Sequence, residues 1–99
     1  MAEATMRLDR FLWFVRLAKR RTWAQDLAES GHLRIDGRRI DRAHAPVRPG
    51  NVVAFVTHDH KVRIIRIEAL PTRRGPPAEA RACYADLKNE NVSQEGSID

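Results

Sequence analysis

The hydrophobic period of this chain changes once, at Gly31, and that change limits it to a helical first third followed by a remainder built from strands. Leu8, Phe11, Leu12 and Val15 recur at i, i+3, i+4 and i+7, one face of a helix that the spacing predicts over Arg7 to Leu17. Arg7, Arg10 and Arg21 fall on the far side of the same wheel, with Arg16 and Arg20 at its flank. Trp13, Phe14 and Leu17 also point away from the apolar stripe, so this helix is either packed on two sides or keeps aromatic surface for a partner. A short basic joint, Leu17 to Thr22, leads into a second helix expected from about Arg21 to Ser30, with Ala24, Leu27 and Ala28 inward. Gly31 stands where the end of that helix wants a left-handed residue.

Beyond Gly31 alternation takes over. His32 to Ile35 alternates polar and apolar, Asp36-Gly37 is a two-residue hairpin turn, and Arg38-Arg39-Ile40 leads out of it. Val52 to Thr57 and Lys61 to Ile67 read as a second pair of strands joined by the His58-Asp59-His60 turn. Pro71 to Pro77 reads as a linker, too rich in Pro and Gly for regular structure. Ala78 to Leu87 is expected to be a third helix that buries Ala82, Cys83 and Leu87. The expected organisation is a flexible N-terminus over 1–5, a folded domain over 6–70, a linker and C-terminal helix over 71–88, and an acidic disordered tail over 89–99. The fold class this predicts is a small α+β domain, with two N-terminal helices on a small antiparallel sheet and a further C-terminal helix.

Ninety-nine residues leave room for one core. No apolar run exceeds five residues, too short for a bilayer span. The first residues, Met1 to Thr5, lack a basic stretch followed by an apolar one, so no secretory signal is visible. The lone cysteine, Cys83, cannot form an internal disulfide, which fits a cytoplasmic protein. Charge is the stronger clue. Residues 1–50 hold 11 basic against 6 acidic groups, whereas residues 83–99 hold 1 against 4. Of the 18 cations 15 are Arg, whose planar fork suits phosphate better than mere solubility requires. Six cations lie between Arg7 and Arg21 against the single acid Asp9, and Arg34, Arg38, Arg39 and Arg42 cluster around the hairpin. Neutralising a phosphate backbone with clustered Arg releases condensed counterions, so these groups point to a nucleic acid and to affinity that falls with salt.

Other chemistry finds little support. His58 and His60 flank Asp59, but no further ligand at useful spacing completes a metal site, and a polar turn accounts for them. His32 and His44 have no Ser or Cys nucleophile beside them. Cys83 reads as a buried structural thiol. No Gly-rich phosphate loop and no catalytic carboxylate pair is present. Trp13 and Trp23 could stack on unpaired bases, although Trp at helical spacing is more often core. Neither a catalytic role nor a cofactor, metal or small-molecule substrate is therefore expected.

The spacing is more specific than the composition. Arg7-Leu8-Asp9 followed by Leu12-Trp13, Arg16 and Lys19-Arg20-Arg21, then Ala24, Gly31, Leu33-Arg34-Ile35 and Asp36-Gly37, resembles the S4 RNA-binding domain. Leu12-Trp13 and the run from Arg73 through Gly75-Pro76-Pro77 to Tyr84 resemble the bacterial heat-shock protein fifteen family within it. The resemblance covers about Met6 to Leu87. It implies a helix pair on a small antiparallel sheet, with RNA gripped along the helices and the adjacent hairpin. It also implies a ribosome-associated factor of the heat-shock response, binding rRNA on large subunits stalled with peptidyl-tRNA so that they can be rescued or recycled. By position, Arg7, Arg10, Arg16, Lys19 and Arg21 would be the first line of phosphate contacts, with Arg38 and Arg39 behind them and Arg20 and Arg34 completing the set. Asp9 would orient a neighbouring Arg or cap the first turn. In two places the chain departs from the pattern. Arg20 stands where the pattern has Ser or Thr, so the hydroxyl N-cap of the second helix is missing or shifted, and an acidic tail replaces a basic C-terminal extension.

The rival readings are an accessory module for an RNA-modifying enzyme such as a pseudouridine synthase, a membrane-surface module using the basic helix, and a DNA binder. The membrane reading lacks a broad Leu/Phe face free of core duty, so no membrane partner is expected, and a monomer is, because no long apolar stripe is left over.

Overall fold

The computed structural model describes residues 4–57 and 59–87. A two-residue strand β1 (Met6–Arg7) runs directly into helix α1 (Leu8–Phe14). Leu8, Phe11 and Leu12 are fully buried, as the spacing predicts, with Val15 just past the helix end. No side chain caps the start of α1. Its first free N–H groups are instead satisfied by the chain opposite: Leu8 N donates to the Ala45 carbonyl at 2.8 Å and Asp9 N to that of Ala43 at 3.0 Å.

The helix is shorter than its periodicity implies. Arg16 adopts φ 63°, and the N–H groups of Leu17 and Arg16 turn back onto the carbonyls of Leu12 and Trp13 at 3.0 and 3.1 Å. This is a Schellman closure with arginine in the left-handed place that glycine usually takes. An L-residue there costs about 1–2 kcal/mol, and without a glycine to announce it the apolar spacing runs past the true end.

Helix α2 (Arg21–Glu29) follows, with Ala24 and Ala28 fully buried and Arg20 as an N-cap that makes no side-chain bond, in keeping with the missing hydroxyl. The small inward residues let α2 lie close against α1. Gly31 ends it at φ 81°, and a Cβ there would stand 2.9 Å from Arg39 Nη2. Gly31→Ala is therefore expected to destabilise the domain by about 1–2 kcal/mol and to lower the thermal midpoint by several degrees. Adding Arg39→Ala removes the collision and restores part of that loss, but not the share due to the backbone.

The remaining chain forms strands β2 (Leu33–Ile35), β3 (Arg38–Ile40), β4 (Pro46–Val47), β5 (Val52–Val56), β6 (Val62–Ile67) and β7 (Tyr84–Asp86), with a short helix α3 (Pro77–Arg81) before the last. Five strands make one antiparallel sheet in the order β3-β2-β5-β6-β7, and β1 pairs with β4 separately. The Asp36-Gly37 turn is tight, with both residues at positive φ. Asp36 also ties the turn to the start of β5, accepting Val52 N through Oδ1 and the Asn51 amide through Oδ2, each at 2.8 Å. Alternation places Leu33, Val53, Phe55, Ile65 and Ile67 in the core beneath the helices.

The third helix is a correction to the sequence reading. It spans five residues, opening on Pro77 at its first turn, where a missing N–H does no harm. Tyr84 to Asp86 is then a strand, pairing Ile67 with Tyr84, Arg66 with Ala85 and Ile65 with Asp86. The open edge of β6 overrides a helical pattern that Ala82, Cys83 and Leu87 display only on paper. Arg63 fixes that edge by meeting Asp86 at 3.0 Å. Cys83 consequently lies after the helix and is half-buried rather than buried, its thiol pushed up first by desolvation and then by the Glu79 charge. His60 sits in the exposed turn between β5 and β6 at φ 63°, while His58 and the acidic tail of 89–99 lie outside the described residues.

Candidate nucleic-acid interface

With Leu8, Phe11 and Leu12 committed to the core, the opposite side of α1 carries Asp9, Arg10, Trp13 and Phe14. Together with Arg7, Arg21 and Gln25 these residues line an open cleft of about 380 Å³. Three of the basic residues singled out from the sequence, Arg7, Arg10 and Arg21, thus converge on one site. Asp9, only 6% exposed, holds the first of them in place. Its two oxygens accept Arg7 Nε and Nη2, both at 3.0 Å, and Oδ1 also accepts the Arg10 backbone N–H at 2.8 Å. Hydrogen bonding to Asp9, and then its charge, keep the Arg7 guanidinium still more firmly protonated than an ordinary arginine. The fork is fixed side-on, and Nη1 takes no part in these bonds. Asp9 accordingly orients its neighbour, as expected.

Arg21 reaches over Trp13, its guanidinium carbon 5.7 Å from the ring centroid. A second arginine does the same from the Pro- and Gly-rich segment between β6 and α3. Arg74 lies 5.4 Å from the same centroid, and its Nε donates to the Trp13 carbonyl at 3.1 Å. Arg16 returns the contact, its Nε donating to the Gly75 carbonyl at 2.7 Å. The chain around 73–75 is therefore an ordered strap over the end of α1, and Arg16 is engaged in holding it. In the sequence the Arg-Arg-Gly-Pro-Pro run was the visible sign of this segment. No local pattern reports a partner some sixty residues away.

The other predicted residues form two neighbouring groups. Lys19 and Arg20 border a second depression of about 520 Å³ with Thr22, Trp23 and Asp26, at the entry to α2. Arg34 and Arg39 stand directly opposite each other on the exposed side of the β2–β3 hairpin. Like charges so placed repel, and each guanidinium leans on a backbone carbonyl, Arg34 Nη1 on Gly37 at 3.3 Å and Arg39 Nε on Gly31 at 3.1 Å. Arg38 lies elsewhere, along a third depression beside Asp36 and Asn51. Among the described residues no group of three or more His, Cys, Asp or Glu is placed to hold a metal ion, and no helix is long and apolar enough to cross a membrane.

Known proteins resemble this chain in sequence and in fold. The S4 domain model matches residues 6–53, which include Arg7, Arg10, Arg16, Lys19, Arg20, Arg21, Arg34, Arg38 and Arg39 but not Arg74. The RQC P-site tRNA stabilizing factor of Bacillus subtilis (strain 168) is 34% identical over 89 residues, covering 90% of this chain and all of that protein (100%). The small ribosomal subunit protein uS4 of Onion yellows phytoplasma (strain OY-M) is 31% identical over 88 residues, but there the chain spans 41% of the relative's length. A trimeric structure of Vibrio cholerae Heat Shock Protein 15 superimposes with a TM-score of 0.78, covering 97% of this chain and 100% of that one at 24% identity, and so shares its fold. On the motif spacing, the helix pair over its sheet and a relative matched along its whole length, the chain belongs to the S4 RNA-binding domain family.

Proposed function

We propose that this protein is a non-catalytic RNA-binding factor of the cytoplasm that grips structured rRNA on the large ribosomal subunit, in the rescue or recycling of subunits carrying peptidyl-tRNA under heat stress. The observation that carries the reading is the convergence of Arg7, Arg10 and Arg21 around one half-buried indole, on the side of α1 that the core leaves free. Fixed guanidinium forks recognise phosphate oxygens at defined positions, and the hairpin pair Arg34 and Arg39 extends the positive surface. The full-length likeness to a factor named for stabilising P-site tRNA supports a ribosomal target. The chain works as a single copy in this reading. Among the described residues Val62 is the large apolar side chain left mostly exposed, which offers little area for a stable oligomer.

Sedimentation with separated small subunits, large subunits, and large subunits carrying peptidyl-tRNA tests this at near-physiological salt. Selective co-migration with the large subunit, strongest when it is blocked, is the expected result. About five phosphate contacts give a log–log salt slope near −3.5 on single-stranded RNA. Equal binding to every particle, or a flat salt response, overturns the proposal.

A further inference from the structure

We infer that the Trp13 cleft is a site for one unpaired nucleotide, with its phosphate held by the arginines of the cleft and its base layered against Trp13. The inference rests on the chain being an RNA binder and goes further, by naming the RNA feature the cleft selects.

A basic face that only follows a phosphate backbone needs cations and no aromatic floor. Here two aromatic rings line the cleft among the arginines: Trp13 and Phe14 lie with ring centroids 5.7 Å apart, tilted by 49°. The apolar core does not require both rings on this side, because Leu8, Phe11 and Leu12 already fill it from the same helix. Trp13 rests against that core, beside Phe14, with the guanidinium groups of Arg21 and Arg74 also near its ring. Guanidinium planes and indole rings are the surfaces on which unstacked bases lie.

The cleft's size agrees. At about 380 Å³ it is at the small end of ligand sites, which run from about 300 to 1,000 Å³, so it suits one nucleotide rather than a helix. Its polar groups are divided correspondingly. Arg10, Arg21 and Arg7, fixed by Asp9 with Nη1 outside that pairing, supply the anion contacts, while the Gln25 amide offers both a donor and an acceptor to a base edge. A paired base cannot enter. The deep, narrow major groove of an RNA duplex keeps side chains from its bases, so the occupant must be bulged or looped out.

The test uses the whole protein with Trp23→Phe, so that indole emission reports Trp13 alone. Three RNA hairpins of matched stem and charge are compared: fully paired, with a single bulged nucleotide, and with that bulge made abasic. The expected result is about tenfold tighter binding of the bulged hairpin than of the paired one, within the range of one stacked base, with quenching of Trp13 emission. The abasic bulge should lose both. Gln25→Ala, which leaves the core untouched, should weaken binding of the bulged hairpin severalfold. Equal binding of paired and bulged hairpins, or an abasic bulge that binds and quenches as well as the intact one, overturns the nucleotide site while leaving RNA binding intact. Failure of every hairpin to bind overturns the RNA reading itself.

Discussion

Arg10→Ala combined with Arg21→Ala will lower affinity for structured RNA by about a hundredfold near physiological salt. Both residues line the cleft from different helices, Arg10 from α1 and Arg21 from the first turn of α2. Each charge-assisted contact to a phosphate contributes on the order of 1.5–3 kcal/mol, so losing two gives a factor of about a hundred or more. The salt dependence supplies a second signature. Two fewer phosphates neutralised make the log–log slope shallower by about 1.4 on single-stranded RNA, so the deficit is widest in dilute salt and narrows as salt rises. Neither side chain belongs to the core, and the fold loses little beyond the contact of Arg21 with Trp13, about 0.5–1 kcal/mol. Electrophoretic mobility or anisotropy titrations at several salt concentrations would read both quantities. An affinity within twofold of the parent would show that the anion contacts lie elsewhere.

Phe11→Ala will have the largest effect on stability, about 3–5 kcal/mol. Phe11 is the largest of the side chains shut off from solvent, and it stands on the inward stripe of α1 between Leu8 and Leu12. A domain of this size has about 5–15 kcal/mol in total, so the substitution removes much of the margin. The thermal midpoint should fall by at least about 12 °C, at about 4–8 °C for each kcal/mol, without a change in the denaturant slope. Phe14→Ala is the control. Three residues along the same helix, Phe14 is half-buried beside the cleft, and its loss should cost a fraction as much. Comparable losses for both would mean that the inward and outward sides of α1 have been misassigned.

What was legible in the sequence was local. The inward stripe of α1, the left-handed Gly31 and the Asp36-Gly37 turn each depend on residues within one turn of one another, and each stands where the spacing put it. The same is true of Asp9 and Arg7, two residues apart. The features that escaped depend on distant partners. Nothing near Tyr84 announces a strand, because the reason for it is the unfilled edge of β6. Strands β1 and β4, two residues each, are too short to show a period and exist because they pair with each other. The end of α1 was overrun because an arginine fills a glycine's place, tied down by a carbonyl far along the chain. The candidate site divides along the same line, since Arg7, Arg10 and Arg21 were visible as a helix face and Arg74 was not.

The strap over α1 has a consequence for the order in which the molecule is completed. Its two bonds join residues 61 and 59 positions apart in the chain, and contacts of such separation bear the full entropy of closing a long loop before they return anything. On a polypeptide emerging from its amino end, the helix pair and the first hairpin are available early. The indole of Trp13 lacks one of its two nearby guanidinium groups until residue 74 has also cleared the ribosome. The molecule therefore completes its basic aromatic face only once residue 74 is in place, and a copy cut short after β6 presents that face without the Arg74 contact.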